Sequence, residues 1–286
     1  MPPRSRPTPK RRPAPAQEDL TLPLGICTSV FGHRHALSAG KLRQLADMPI
    51  DCIEIAALQE PHLNCFDEER VEELARQAKS LRLRVWSFHA PFLGLAMDDA
   101  GTRRENVRKL IQASKVAQRF GAGVVVVHPG RDVPTVNLRR ELGWMRDGLA
   151  RAAEKLPPGL KLAVETMGPK SLAGPLDDML YVVDALRGAP VGVCLDTGHV
   201  NTGCKPADYA RHLAGRIVSV HLHDNFGDKD AHALPGEGNI DWPLTLRAIR
   251  QAGYDGVWMC EAGGADQPLR PFLHEFARRM KHYCAG

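Results

Sequence analysis

Short apolar runs alternate with longer amphipathic stretches eight times along this chain, and that alternation limits its fold more than any other feature. Several runs, such as 122-AGVVVVH, are almost wholly apolar, which is typical of strands buried on both faces of a parallel sheet. Eight strand–helix units in a row predict an α/β fold, a single (β/α)8 TIM barrel. An open doubly wound sheet is the main alternative, but no G-x-G-x-x-G follows the first strand, which weakens a dinucleotide-binding version.

The pattern predicts strands at 24–30, 51–57, 83–89, 122–128, 160–165, 191–196, 216–221 and 256–261. It predicts helices near 38–47, 67–81, 102–120, 137–156, 176–187, 206–214, 242–252 and 268–283. Gly121 and Gly253 follow two of these helices, where a positive φ angle would end them at little cost.

Residues 1–20 form a separate proline-rich segment with five basic and two acidic side chains. This composition cannot bury a core and predicts a disordered basic leader, either a solvated tail or an arm for an acidic partner such as nucleic acid. The catalytic barrel is predicted over residues 21–286, where 33 basic and 31 acidic side chains nearly balance. No apolar run is long enough to cross a membrane, and seven scattered cysteines without a C-x-x-C pair favour the reducing cytoplasm. The oligomeric state is left open.

Potential metal ligands end six consecutive predicted strands. They are spaced 25 to 40 residues apart, about one strand–helix unit, and are His89, His128, Glu165, Asp196, His221 and Glu261. The barrel places these strand ends on one rim, at the mouth where the fold holds its active sites. Three further candidates lie just beyond strand ends: His199, Asp230 and His232. Each one alone is also consistent with a structural histidine or a helix-capping acid.

Three of these residues, Glu165, Asp196 and Glu261, are acids with no Lys or Arg at the neighbouring strand ends. Two carboxylates about 4 Å apart repel by about 4 kcal/mol at an effective dielectric constant of 20. Either the acids take up protons or a divalent cation neutralises them, and the interleaved imidazoles favour the cation. Carboxylate and imidazole ligands suit Mn²⁺, Zn²⁺, Co²⁺ or Fe²⁺, without distinguishing among them.

At these residues the sequence resembles the xylose isomerase-like TIM-barrel superfamily, which includes sugar isomerases and epimerases and also endonuclease IV. The resemblance covers essentially the whole folded part. It is carried in order by 88-FHAPF, 125-VVVHPG, 164-VET, 194-CLDTGHV, 220-VHLHDN, 230-DAH, 235-PGEGNIDW and 259-MCE.

The resemblance to the sugar epimerases implies one metal held by Glu165, Asp196, His221 and Glu261. It also implies that Glu165 and Glu261 exchange protons with the substrate, one on each face of a carbon next to a carbonyl. The metal then polarises that carbonyl and stabilises an enediolate. Glu54 and His199 are the implied contacts for hydroxyls of a sugar or sugar-phosphate substrate.

The alternative is an abasic-site endonuclease, because endonuclease IV uses the same barrel with three zinc ions and nine ligands. All nine positions find a suitable residue here, the six at strand ends and the three beyond them, so one to three ions (Mn, Zn or Co) are expected. Two departures disfavour the nuclease. The chain reads Thr-Met-Gly-Pro-Lys after Glu165, and His-Leu-His-Asp-Asn from His221, where the nuclease usually has Asn-Asp-Ser.

Two further interpretations carry less support. A barrel that only binds a sugar-like ligand or a partner does not explain the two candidate catalytic glutamates, Glu165 and Glu261. A phosphate loop at 235-PGEGNIDW lacks the Lys-Ser/Thr ending of a P-loop. This stretch is better explained as a turn into a helix, with Asp241 as the N-cap and Trp242 packed on the barrel.

Overall fold

The computed structural model describes residues 20–57, 60–130, 137–263 and 267–285. Over these ranges strands and helices alternate, with one extra short helix after the sixth strand. The strands are β1 Leu24–Cys27, β2 Cys52–Ala56, β3 Val85–His89, β4 Val124–Val127, β5 Lys161–Glu165, β6 Val191–Asp196, β7 Ile217–His221 and β8 Trp258–Cys260. The helices are α1 Ala39–Ala46, α2 Glu68–Ser80, α3 Ala100–Phe120, α4 Leu138–Ala153, α5 Leu176–Asp184, α6 Thr197–Asn201, α7 Pro206–His212, α8 Trp242–Gln251 and α9 Leu269–Ala285.

The eight strands form one parallel sheet in the order β7-β6-β5-β4-β3-β2-β1-β8. The sheet closes between β7 and β8 through a bridge that pairs Leu222 with Cys260. There the Leu222 amide donates to the Met259 carbonyl at 2.7 Å, and the Glu261 amide donates to the Leu222 carbonyl at 3.1 Å. The predicted single (β/α)8 barrel is therefore confirmed.

Strand alternation decides which side chains enter the barrel. In β5, Leu162 and Val164 pack into the main apolar core beneath the helices, whereas Ala163 belongs to a small separate cluster of the other strand face. Side chains of a strand alternate between its two faces, so Glu165 shares the inner face with Ala163. The same alternation gives an inner set on the other strands: Glu54, Ser87, His89, Asp196 and His221.

Side-chain caps begin most of the helices at the mouth of the barrel. Ser38, Asp67, Asp99 and Asn137 cap α1 to α4, each accepting from a backbone amide in the first turn. Asp241 caps α8 in the same way and confirms the predicted N-cap. The predicted helix ends at Gly121 and Gly253 are also confirmed, because these glycines have positive φ angles of 79° and 92°.

The first strand is shorter than predicted. It ends at Cys27, and Thr28–Phe31 form a single 3-10 turn because the Thr28 hydroxyl accepts from the Ala56 amide at 2.9 Å and draws the chain toward β2. The short helix α6 was not predicted either. It begins where the Asp196 carboxylate accepts from the His199 amide at 2.7 Å.

At the other end of the barrel, Leu20 is buried and its carbonyl accepts from the Trp258 indole at 2.9 Å. The remainder of the predicted leader, residues 1–19, lies outside the described residues. Among the residues that are described, no helix combines the length and apolarity needed to cross a bilayer.

Candidate metal centre

The rim formed by the ends of β3 to β8 gathers the nine predicted ligands into three adjoining groups. Within each group the ligand atoms all lie within 4.8 Å of one another. The central group is Glu165, Asp196, His221 and Glu261; the inner group is His89, His128 and Glu165; the outer group is His199, Asp230 and His232, joined by His223.

The central group is built around one nitrogen atom. His221 Nδ1 lies 2.9 Å from Glu261 Oε2, 3.2 Å from Glu165 Oε1 and 3.9 Å from Asp196 Oδ2. Atoms that bind one ion at 2.0–2.2 Å are themselves roughly 3 to 4 Å apart, so these separations suit a shared cation. All four side chains are buried, and Glu261 keeps the largest exposed fraction, 6%.

Glu165 also belongs to the inner group through its second oxygen. Glu165 Oε2 lies 3.0 Å from His89 Nε2 and 2.9 Å from His128 Nε2. The other nitrogen of His89, Nδ1, donates to the Ala90 carbonyl at 3.2 Å, which leaves a lone pair on Nε2 in the neutral ring. The Glu165 carboxylate thus lies between two ligand groups, one on each oxygen.

The outer group lies beside α6 and includes a residue that the sequence did not single out, His223. Asp230 Oδ2 lies 3.2 Å from His199 Nε2 and 3.1 Å from His232 Nε2. His223 is fully buried, and its Nε2 lies 2.9 Å from the Asp196 carboxylate. The signal was present in 220-VHLHDN, because residues two apart in an extended segment share a face.

Glu54, predicted as a substrate contact, lies beneath the central group and is fully buried. Its Oε2 accepts from the Ser87 hydroxyl at 2.6 Å and lies 3.2 Å from His221 Nε2, the ring nitrogen that faces away from the central group. Glu54 also belongs to a further set of nearby ligand atoms, with Cys27 and Glu261.

The groups shift each other's pKa values strongly. Burial alone raises the pKa of Glu165, but the His128 and His221 imidazoles outweigh it and hold that pKa well below its ordinary value. Burial likewise lowers the pKa of His199, while Asp196 and Asp230 more than reverse this and raise it well above its ordinary value. The Glu165 carboxylate therefore stays charged and the His199 ring holds a proton, which a cation bound by that ring would displace.

The donor set fits a divalent cation on two observations. In the central group three carboxylates surround one imidazole, which carries at most one positive charge. In the outer group the buried His223 Nδ1 has no hydrogen-bond partner among the described residues, although buried polar atoms are rarely left unpaired. Mixed imidazole and carboxylate ligands suit Zn²⁺, Mn²⁺ or Co²⁺.

The stretch 235-PGEGNIDW holds the carboxylate of Asp224. That carboxylate accepts from the Gly236 amide at 2.8 Å, the Ile240 amide at 3.3 Å and the Trp242 indole at 2.8 Å. The amide donors that a phosphate would need are therefore used by an internal anion. Trp242 is buried as predicted, and the stretch is a turn that leads into α8.

The opening of the barrel carries an exposed aromatic ring. Phe92 follows β3 and is 55% exposed, and its ring meets the His128 ring edge to face with centroids 4.4 Å apart. An apolar face of this kind can pack on the apolar side of a small ligand that enters the rim.

A sequence model of the xylose isomerase-like TIM barrel family matches residues 42–279, most of the chain. Together with the closed eight-stranded barrel and the ligand-rich rim, this match shows that the chain belongs to the xylose isomerase-like TIM barrel family.

Two relatives illustrate the range of that family. An uncharacterised protein of Methanocaldococcus jannaschii is 28% identical over 254 residues, 83% of this chain and 83% of its own length. A probable endonuclease 4 of Mycobacterium tuberculosis is 29% identical over 208 residues, 69% of this chain and 79% of its own length.

Solved structures with the same fold include sugar epimerases. A D-tagatose 3-epimerase-like protein superposes with a TM-score of 0.77 at 24% identity, covering 92% of this chain and 97% of the other. D-psicose 3-epimerase, solved in the presence of D-fructose, gives 0.75 at 17% identity over 92% and 98%. At these identities the likeness shows the shared fold.

Proposed function

We propose that this protein is a divalent-metal-dependent isomerase or epimerase of a sugar or sugar phosphate. The observation that supports it best is the placement of two glutamates in one ligand group. Glu165 Oε1 and Glu261 Oε2 lie 3.2 Å and 2.9 Å from the same nitrogen of His221. A substrate bound at this group would have a carboxylate available on each side of one carbon.

In the proposed reaction the substrate carbon next to a carbonyl loses its proton to one glutamate. The other glutamate, which enters the step protonated, gives its proton to the opposite face of that carbon, which inverts it, or to the neighbouring carbon, which isomerises the sugar. Glu165, Asp196, His221 and Glu261 would hold a Mn, Zn or Co ion, which polarises the carbonyl when bound. Seven cysteines without a C-x-x-C pair support placing the enzyme in the cytoplasm.

Glu165, Asp196 and Glu261 are buried or nearly buried. Burial suits proton transfer to and from a substrate carbon because it keeps competing water out of the site. Glu261, at 6% exposed, is the carboxylate that substrate reaches most easily. His199 lies at the same rim, with its Nδ1 3.6 Å from Asp196 Oδ1, where it would orient a hydroxyl or hold a further ion. Up to three ions would fit the three groups.

Deuterium exchange tests this proposal without knowledge of the final substrate. Protein loaded with Mn²⁺ or Co²⁺ should exchange a substrate C–H proton with deuterated water for at least one member of a panel of ketoses, aldoses and their phosphates. Glu261→Gln should abolish the exchange, and Glu69→Gln, an exposed glutamate in the first turn of α2, should leave it unchanged. No exchange across the panel by the metal-loaded protein would contradict the proposal.

A second candidate, an abasic-site endonuclease, is favoured by the inner group. Glu165 Oε2 lies within 3.0 Å of both His89 Nε2 and His128 Nε2, while Oε1 faces the central group. A carboxylate shared in this way suits two ions that activate water and stabilise a leaving oxygen. The probable endonuclease 4 relatives agree with this candidate.

Incision of a duplex with a single abasic site separates the two candidates. The nuclease requires incision that a chelator abolishes and that His128→Asn lowers by at least about 100-fold, the upper end of the loss typical when only a partner that orients a ligand is removed. The near balance of basic and acidic side chains over residues 21–286 and the sequence His-Leu-His-Asp-Asn from His221 favour the isomerase. Incision without any sugar exchange would reverse that preference.

A further inference from the structure

A pocket of about 300 Å³ lies between α3 and α4, on the outer wall of the barrel. Each helix contributes residues at the spacing i, i+3, i+4, i+7, which places them on one helix face. Such a face is normally apolar where two helices pack, but here it carries three arginines. The described lining residues, which include no member of the three ligand groups, are Leu95, Ala100, Arg103, Arg104, Val107, Trp144, Asp147, Gly148 and Arg151.

The inner end of this pocket is apolar. Leu95 and Gly148 are buried, and Val107 is partly buried. A Cβ built on Gly148 would lie 3.3 Å from Val107 Cγ2 and 3.6 Å from Leu95 Cβ. The glycine therefore lets α4 approach α3 closely, and the apolar atoms of the two neighbours close the pocket toward the core.

Arg103 is held in place by its surroundings. Its guanidinium lies over the Trp144 ring, 3.9 Å from the ring centroid, and donates to the carbonyls of Met97 and Asp98 at 2.6 Å and 2.7 Å. These contacts fix its orientation, so a positive charge is kept at the edge of the pocket.

Arg104 and Arg151 are not engaged in this way. Neither forms a hydrogen bond or an ion pair with any residue that the structure describes. The acids nearby have other partners: Asp147 accepts from the Arg146 guanidinium at 3.0 Å and 2.8 Å, and Asp99 is the N-cap of α3. The two guanidiniums therefore have unused donors at one pocket.

The charge of the lining favours a doubly charged anion. Guanidinium groups bind phosphate and carboxylate through paired hydrogen bonds. The three arginines face one aspartate, which leaves a net charge of two positive units. A phosphate monoester carries about −1.5 to −2 at neutral pH, whereas a single carboxylate carries one negative charge. The phosphate group is thus the better match.

We propose that this pocket binds the phosphate group of a small molecule, with Arg104 and Arg151 as its donors. Free phosphate would contact the guanidiniums but leave the apolar inner end uncovered, whereas a phosphate ester can also pack on Leu95 and Val107. The volume of the pocket is at the lower end of those that bind small molecules. The site lies outside the ligand-rich rim and does not depend on the proposed reaction.

Isothermal titration calorimetry of the full chain tests this site, with glucose 6-phosphate, inorganic phosphate and glucose as probes. Arg104→Gln and Arg151→Gln should each weaken the binding of glucose 6-phosphate by about 10-fold or more, because each removes charge-assisted hydrogen bonds. Arg151→Lys keeps the charge without the planar fork and should recover part of the affinity.

Two controls accompany these variants. Arg76→Gln, an exposed arginine of α2 that donates to the Glu72 carbonyl of its own helix, should bind as the wild type does. Arg104 and Arg151 are exposed and leave no buried partner behind, so both variants should fold, which thermal unfolding checks.

The outcomes distinguish this pocket from the rim and from the proposed reaction. Glu261→Gln should lose sugar exchange and keep the affinity for glucose 6-phosphate at this pocket, because Glu261 does not line it. Equal affinity for inorganic phosphate and glucose 6-phosphate would support the site with the free ion as its ligand, and tighter binding of glucose 6-phosphate would support an ester. The inference is overturned if neither phosphate probe binds, if glucose binds as tightly as glucose 6-phosphate, or if both glutamine variants keep the wild-type affinity.

Discussion

Glu54 Oε2 lies 3.2 Å from Nε2 of His221, and both side chains are fully buried. Burial opposes the charge on Glu54, but His221 overcomes it and lowers the pKa of Glu54 to about 2. The carboxylate is therefore charged at neutral pH and accepts the Nε2 hydrogen, which leaves Nδ1 to face Glu165, Asp196 and Glu261.

This relationship predicts a positioning role for Glu54. Glu54→Gln should weaken metal binding at the central group by about 10- to 100-fold, because the charged partner that fixes the imidazole is lost. The measurement is competition between the protein and a chromophoric chelator. Glu69→Gln should bind as the wild type does, and equal affinities for all three proteins would show that Glu54 does not act through His221.

A second prediction concerns acid stability and His62, which lies outside the ligand groups. His62 Nδ1 donates to the His35 carbonyl at 2.9 Å, and Nε2 lies 3.3 Å from the Thr28 hydroxyl. Burial lowers the pKa of His62 to about 4, against about 6.5 in an unfolded chain. The folded state binds fewer protons between these values, so the free energy of unfolding should fall as the pH drops from about 6.5 to about 4.

The loss attributable to His62 should be roughly 2 to 3 kcal/mol. Denaturant unfolding of the wild type and of His62→Gln at several pH values measures it, because the variant lacks this titration. His274→Gln should keep the wild-type slope. If His62→Gln loses stability over this range as steeply as the wild type, His62 is not the group responsible.

A third prediction concerns the anchor of the 235-PGEGNIDW turn. Asp224→Ala would leave the amides of Gly236 and Ile240 and the indole of Trp242 without their acceptor. Buried donors of this kind are costly, and we expect a loss of about 3 kcal/mol or more in the free energy of unfolding. Asp228→Ala, an exposed aspartate on the same loop, should change it by less than about 0.5 kcal/mol.

The fourth prediction depends on the proposed reaction. Phe92→Ala should raise the KM for substrate by about 2- to 10-fold and leave kcat nearly unchanged, because the exposed ring contacts His128 but carries no ligand atom. Phe226, which is 67% exposed and makes no ring contact in the described part of the chain, supplies the control variant Phe226→Ala. A fall in kcat at constant KM would assign Phe92 a different role.

The barrel was predictable from the eightfold alternation of strand and helix patterns, and the convergence of its ligands from their place at strand ends that share one rim. In β5 and β6, period-two alternation places Glu165 and Asp196 on the inner face at strand ends. His223 was missed although 220-VHLHDN places it on the same face as His221, because its contact with Asp196 joins two separate elements. The helix α6 was missed for a similar reason, since a single cap from Asp196 begins it.

The seam that closes the barrel lies at the level of His221 and Glu261. In the described part of the chain, the Leu222–Cys260 bridge and the two backbone hydrogen bonds beside it join β7 to β8, and a ligand residue lies next to the bridge on each side. A cation bound by both His221 and Glu261 would hold β7 and β8 together at this seam. Amide hydrogens of Leu222 and Glu261 should then exchange with deuterated solvent more slowly when the ion is bound. The rate at which the barrel opens locally at this seam would therefore show whether the metal site is occupied.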